Sequence, residues 1–317
     1  MSGATPPPTL ILAGPTAVGK TELAVELARR HGYELVSADS MQVYRGLEIG
    51  TGQPTPEQLR GVPLHGCGAL DPAEPFSVKH FVDLCAEYAQ AIRSRGRTPL
   101  FVGGSGMYLR ALRWGLFEAP PVPISLRRRL RKDVETLGVQ ALHARLSRLD
   151  PAAAGRIPAT DPVRIVRALE VAETSGRSIT SLQTQWPARR ARFPHRLIVL
   201  TCPRPALARR INRRVEAMLA KGWIEEVRRL LESGRDPTLH CFKALGYRQV
   251  LSHLAGGMTR PALVAEIQAK TRQFARRQLT WLRKEADARW IAHGGEDPLQ
   301  ALSAAENWLA AAAPEPL

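Results

Sequence analysis

Four cysteines, Cys67, Cys85, Cys202 and Cys241, are all that the 317 residues contain, and they lie far apart with no Cys-x-x-Cys pair. That spacing disfavours a zinc site and a disulfide framework, and makes a reducing cytoplasm the expected location. Long apolar runs are also missing. No stretch approaches the roughly 20 residues of a membrane span, so no membrane association is expected. The first nine residues lack the basic and apolar regions of a signal peptide. No segment repeats another. Lysine is scarce as well, supplying only seven of the 45 basic side chains.

What is present is apolar material and unevenly placed charge. With 44% hydrophobic and 23% charged residues, the chain has enough to bury a sizeable core as one large or two modest domains. Collagen-like, disordered and coiled-coil chains have other compositions. The net charge is +16, but residues 1–117 are nearly neutral, with 11 basic and ten acidic groups. Residues 118–196 carry 15 basic against seven acidic groups, and residues 197–292 carry 19 against eight. The last 25 residues hold four acids and no Lys or Arg. A genome that favours Arg codons explains the ratio of Arg to Lys. The clustering points instead to a polyanionic partner, because grouped cations gain by releasing the counterions condensed on a nucleic acid.

Residues 9–13, 33–37, 98–102, 196–202 and 289–292 have the β-prone pattern of short strands. Residues 21–31, with Leu23, Ala24, Leu27 and Ala28 on one face, and residues 81–94 suit helices. Strand and helix in alternation imply a parallel sheet with right-handed crossovers. Ala119-Pro120-Pro121-Val122-Pro123 is a stiff hinge, after which 125–149 and 161–174 read as Arg-rich helices. Further basic helices are expected over 205–233 and 261–285, and an Ala-rich one over 301–316. The expectation is an α/β core with a P-loop NTPase-like parallel sheet, formed by 1–119 and 196–317 with C-terminal helices. A basic helical insertion at 120–195 interrupts it.

Gly14-Pro15-Thr16-Ala17-Val18-Gly19-Lys20-Thr21 fits G-x-x-x-x-G-K-[ST] and lies between a strand and a helix. Such a loop turns its backbone N–H groups toward phosphate oxygens, and the helix adds its positive dipole end. Lys20 brings a point charge and the Thr21 hydroxyl can hold Mg²⁺. The loop alone does not say whether a triphosphate or a diphosphate is bound. Asp39 ends the second strand, at the edge where ligands bind in open parallel sheets. It can hold a metal through water or accept a proton from a nucleophile, or it can be a helix N-cap. Ser105, in Val102-Gly103-Gly104-Ser105-Gly106-Met107-Tyr108-Leu109, offers a hydroxyl at the same edge or a cap for the next helix.

These segments resemble the bacterial tRNA dimethylallyltransferases (tRNA isopentenyltransferases). The likeness rests on the phosphate loop, the Asp39-Ser40-Met41-Gln42-Val43-Tyr44 run, Ile49-Gly50-Thr51, and Val102-Gly103-Gly104 with Met107-Tyr108-Leu109. It continues through Asp161 to Val171, Gly246-Tyr247 and Arg277-Gln278-Leu279-Thr280-Trp281-Leu282-Arg283. The resemblance implies transfer of a dimethylallyl group from dimethylallyl diphosphate to N6 of adenine at tRNA position 37, leaving pyrophosphate. The loop would then grip a pyrophosphate leaving group, with Asp39 as the base and Ser105 beside the diphosphate. The implied tRNA contacts are Asp39, Ser40, Met41, Gln42, Ser105, Arg127, Val163, Arg164, Ile165, Val166, Arg167, Arg248, Arg276, Arg277, Gln278, Thr280, Trp281 and Arg283. The implied partners are the tRNA anticodon stem-loop and dimethylallyl diphosphate, acting on a monomer. Blander readings stand beside these: Arg164 and Arg167 as a solvated helix face, Arg127-Arg128-Arg129 as exposed charge, and Trp281 as core. Leu64-His65-Gly66-Cys67-Gly68, Gln53 and Ala172 depart from the family pattern. A P-loop small-molecule kinase and a non-catalytic structured-RNA-binding protein remain the rival functions.

Overall fold

The computed structural model describes residues 8–116, 121–183 and 194–310. Six parallel strands form one sheet: β1 (Thr9–Ala13), β2 (Tyr33–Ser37), β3 (Leu64–His65), β4 (Thr98–Gly103), β5 (His195–Thr201) and β6 (Arg289–Ala292), in the order β3-β2-β4-β1-β5-β6. The central strands are covered on both faces and therefore read as unbroken apolar runs such as Thr-Leu-Ile-Leu-Ala, buried at all five positions. From β1 the chain goes to β2 on one side, and it later reaches β5 on the other. Ligands of open parallel sheets bind at the carboxyl ends of strands around such a point.

The helices in chain order are α1 (Lys20–His31), α2 (Glu48–Thr51), α3 (Pro56–Leu59), α4 (Val78–Ser94), α5 (Gly106–Trp114), α6 (Ile124–Leu137), α7 (Val139–Leu149), α8 (Pro151–Ala154), α9 (Pro162–Ser175), α10 (Ile179–Gln183), α11 (Arg204–Ala220), α12 (Trp223–Glu232), α13 (Tyr247–Leu254), α14 (Arg260–Leu282) and α15 (Leu302–Ala310). Two of the long helices expected from periodicity are each a pair, broken at Gly138 and Gly222, which take positive φ of 84° and 95°. Such a φ ends an α-helix. β3 has two residues, too short for an alternating pattern to show. The expected C-terminal helix is α15 to Ala310; the rest of 301–316, like Ala119 and Pro120 of the hinge, lies outside the described residues.

The chain divides into two compact units, Met1–Arg113 with Arg192–Leu317, and Trp114–Ala191. The first holds the sheet and two apolar cores. One core, with Leu12, Leu23, Leu27 and Leu200, packs on the sheet; the other joins α11 to α14 around Trp223, Val227, Phe242 and Tyr247. The second unit is a helical cluster of α6 to α10 around Leu130, Leu146, Ile165 and Leu169. Asp161 caps α9 by accepting the Arg164 N–H at 3.1 Å, with Pro162 at the first turn. Among the described residues, no helix is long and apolar enough to cross a membrane.

Candidate active site

β1 delivers the chain to residues 14–19, and α1 carries it away. Gly19 stands at the N-terminus of α1 with φ of 100°, and no side chain caps the helix there. The first N–H groups of α1 are thus open toward an anion. A side chain at Gly19 would also collide with the ring of Pro298. Ala17 holds a φ of 63°, unusual for a residue with a Cβ. Partners outside the loop keep it in this shape. Arg210 Nε donates to the Ala17 carbonyl at 2.8 Å, and His293 Nε2 to the Val18 carbonyl at 2.9 Å. The Gly295 N–H donates to His293 Nδ1 at 3.1 Å, which fixes that tautomer.

Inside the loop, Lys20 Nζ donates to the carbonyls of Gly14 at 3.1 Å and Pro15 at 2.8 Å. Burial, and then the neighbouring Arg214, pull its pKa down to about 8, while Asp39 and Glu22 act in the opposite direction. Arg214, from α11, is itself held below its ordinary value by burial. Composition alone does not single out this arginine, because it is one of four in the basic stretch Arg209-Arg210-Ile211-Asn212-Arg213-Arg214. Helical spacing separates them: Arg209 and Arg213 reach Glu296, whereas Arg210 and Arg214 face the loop region.

Asp39 follows β2 and heads no helix. Its Oδ1 accepts the Met41 N–H at 2.9 Å, an Asx turn, so the N-cap alternative gives way. Gln42 braces the next segment, donating from Nε2 to the carbonyls of Thr51 at 3.3 Å and Gly52 at 3.1 Å, while Ser37 Oγ donates to its Oε1 at 2.9 Å. Ser105 comes immediately before α5, and its carbonyl accepts the Leu109 N–H at 3.0 Å.

These groups meet in one cavity of about 350 Å³. Thr16, Lys20, Thr21, Asp39, Ser105 and Arg214 line its polar side, and Met41, Val215, Met218, Trp223, Leu245 and Phe274 its apolar side. Ser40, Gln42, Arg277 and Gln278 also line it. A second groove of about 630 Å³ shares Lys20, Thr21 and Arg214 and adds Arg60, Arg210, Arg213 and Lys221. A third, about 590 Å³ along α4 and β4, contains none of the residues singled out above. No cluster of three or more His, Cys, Asp or Glu suited to a metal exists among the described residues. The oxygen donors lining the cavity include the Thr21 hydroxyl, with the Thr16 and Ser105 hydroxyls and the Asp39 carboxylate. A set with so few carboxylates fits a hard cation that takes its other ligands from phosphates and water.

The remaining expected contact residues divide between the two units. Arg276 and Thr280 on α14 and Arg283 just after it are exposed outside the cavity, as is Arg248 on α13. Trp281 is half-buried against the first turn of α5, with the Arg110 guanidinium 5.8 Å from its ring centre. Gln278 is 6% exposed, and its Oε1 and Nε2 each have a hydrogen-bond partner. In the helical unit, Arg127 and Arg167 converge on the buried Glu170 carboxylate at 2.8 and 3.2 Å. Arg164 pairs with Asp161 at 2.8 Å and Val163 is 77% exposed, while Val166 packs partly against the core. Ile165 corrects the sequence reading: it is fully buried in that core, so its side chain offers no surface to an RNA.

Comparison with known proteins gives one consistent result. A family model described as IPP transferase matches residues 42–285, and one described as isopentenyl transferase matches residues 8–63. The chain is 44% identical over 284 residues to the tRNA dimethylallyltransferase of Syntrophobacter fumaroxidans, covering 90% of this chain and 83% of that protein. It is 45% identical over 285 residues to that of Symbiobacterium thermophilum, covering 90% and 89%. Among solved structures, the full-length tRNA isopentenylpyrophosphate transferase of Bacillus halodurans superposes with a TM-score of 0.70 at 35% identity, covering 95% of this chain and 96% of that one. A eukaryotic dimethylallyltransferase acting on tRNA has the same fold, with a TM-score of 0.81 at 23% identity over 95% of this chain and 77% of that one.

Proposed function

Since this chain belongs to the IPP transferase family and aligns over nine-tenths of its length with tRNA dimethylallyltransferases, we propose that it transfers a dimethylallyl group from dimethylallyl diphosphate to N6 of adenine 37 in a tRNA. The observation that carries this reading is a single cavity with an anion cradle, a carboxylate and an apolar wall. The cradle suits the diphosphate. Met218, Val215 and Trp223 suit a five-carbon chain, and Asp39 suits the amine.

As the bond between C1 and the diphosphate oxygen breaks, its electron pair leaves with the phosphates and C1 gains carbocation character. Loop N–H groups, the Lys20 ammonium and the Arg214 guanidinium face the place where that negative charge grows. The adenine amine attacks C1, and its proton passes to Asp39. Ser105 orients the diphosphate through its hydroxyl. Thr21 would hold Mg²⁺, which supplies further charge neutralisation on the phosphates. For N6 to reach C1, the adenine leaves the anticodon-loop stack. In the first unit exposed Arg276, Arg277 and Arg283 contact the tRNA, and in the helical unit Arg127, Arg164 and Arg167 do so. One chain supplies every group at the cavity, which suits a monomer.

The test is incubation with unmodified tRNA, dimethylallyl diphosphate and Mg²⁺, followed by nucleoside mass analysis. N6-dimethylallyladenosine is expected from tRNA bearing adenine 37, and none from tRNA with another base there. Phosphoryl transfer from ATP without prenylation would instead identify a kinase.

The lowered pKa of Lys20 sets a pH dependence for the donor side. In the free protein Lys20 loses its proton around pH 8, and the diphosphate binds the ammonium form. Pyrophosphate affinity should therefore fall roughly tenfold between pH 7 and pH 9 relative to Lys20→Arg, whose charge persists. Isothermal titration of both proteins with inorganic pyrophosphate measures the ratio; parallel pH profiles would exclude the assignment.

A further inference from the structure

We propose that Gln278 is a positioning residue for the diphosphate end of the reaction, acting on the phosphate loop and not on the RNA; the proposal deepens the transferase reading and rests on it. Gln278 lies on α14 and is 6% exposed. Its Oε1 accepts the Thr16 N–H at 2.8 Å, and its Nε2 donates to the Gly104 carbonyl at 3.0 Å. Only one orientation of the amide serves both. Reversed, it would set NH₂ against N–H and oxygen against oxygen. One side chain thus joins the loop after β1 to the loop after β4.

The two loops are already in close backbone contact. A methyl group on Gly104 would lie 2.7 Å from the Gly14 carbonyl oxygen and would collide with Gln278 Nε2. The brace therefore fixes the spacing between the phosphate loop and Ser105, which adjoins Gly104. It also occupies the Thr16 N–H, so the anion cradle is built from later N–H groups of the loop, the first turn of α1 and Lys20. Buried polar groups of this kind are costly to leave unpaired. Without Gln278, the Thr16 N–H and the Gly104 carbonyl lose their partners at the point where the loop leaves β1. Its neighbours Arg276, Arg277 and Thr280 are exposed, so RNA contact on this helix falls to them.

The test uses Gln278→Met, which keeps the length and removes both hydrogen bonds, with inorganic pyrophosphate and tRNA titrated separately. The expected result is a rise of about tenfold or more in the pyrophosphate Kd and in the KM for dimethylallyl diphosphate, with the tRNA Kd within twofold of wild type. Gln278→Asn, which keeps the amide but is one methylene too short to reach both loops, should show the same pattern. Should Gln278→Met fail to fold, Gln278→Asn carries the same pair of readouts. A tenfold loss of tRNA affinity with pyrophosphate binding unchanged would overturn the proposal. So would equal weakening of both ligands. Pyrophosphate binding is read without turnover, so wild-type protein that binds pyrophosphate but does not prenylate would sink the transferase reading and leave the brace standing.

Discussion

Asp39→Asn is expected to lower the rate of prenyl transfer in single turnover by about 10²–10⁴-fold, the usual worth of a positioned general base. Binding of pyrophosphate and of tRNA should stay within a few fold of wild type. Asparagine keeps an oxygen where Asp39 Oδ1 accepts the Met41 N–H, so the turn that follows β2 survives. What disappears is the second carboxylate oxygen, and with it the capacity to take a proton. Asp39→Ala removes the turn's acceptor as well and should add a modest loss of stability. The two variants together separate chemistry from local folding. A non-catalytic RNA-binding protein with a relic phosphate loop would show no difference between Asp39→Asn and wild type in any assay. If Asp39→Asn transfers the prenyl group at the wild-type rate, the proton goes elsewhere and the assignment fails.

The parts of the site carried on one short segment were legible in the sequence. The phosphate loop needs only a strand, glycines at two positions, Lys20 and Thr21. Those residues are contiguous, and β1 and α1 fall on either side of them. Asp39 was legible for a similar reason, since it follows a recognisable strand whose end must lie at the ligand edge of a parallel sheet. The helical spacing of Arg164 and Arg167 was visible, but their carboxylate partners were not assigned. Long-range pairings were the least accessible. Nothing in a single sequence ties Gln278 to Thr16, 262 residues away, or distinguishes Arg214 from Arg213. The burial of the Ile165 side chain was not visible, because a matching motif does not say which of its side chains face outward. On a helix, one position in such a run must face the core.

A buried carboxylate produces the other large effect. Glu226 on α12 is 2% exposed and accepts three hydrogen bonds: the N–H groups of Ile49 at 2.6 Å and Gly50 at 3.0 Å, and the Tyr247 hydroxyl at 2.7 Å. It therefore caps the start of α2 from another part of the chain. α2 in turn supplies Gly50 and Thr51 to the cavity wall and leads to Gly52, and Gln42 is anchored on the Thr51 and Gly52 carbonyls. Glu226→Ala leaves the Ile49 and Gly50 N–H groups unpaired, leaves the Tyr247 hydroxyl only its longer bond to the Leu47 carbonyl at 3.3 Å, and opens a void, a destabilisation of about 3 kcal/mol or more. Glu226→Gln keeps the volume and one good acceptor and should cost less, because one N–H then opposes the amide NH₂. Burial raises the pKa of Glu226, and its hydrogen bonds only partly offset that rise. A carboxyl group raised in this way contributes fully below its ordinary value, and its contribution is lost as pH rises through the folded value. The wild-type margin over Glu226→Gln should therefore narrow with rising pH across that window. Denaturant unfolding of the three proteins at several pH values measures both effects. A Glu226→Ala protein as stable as wild type would show that α2 does not depend on this carboxylate.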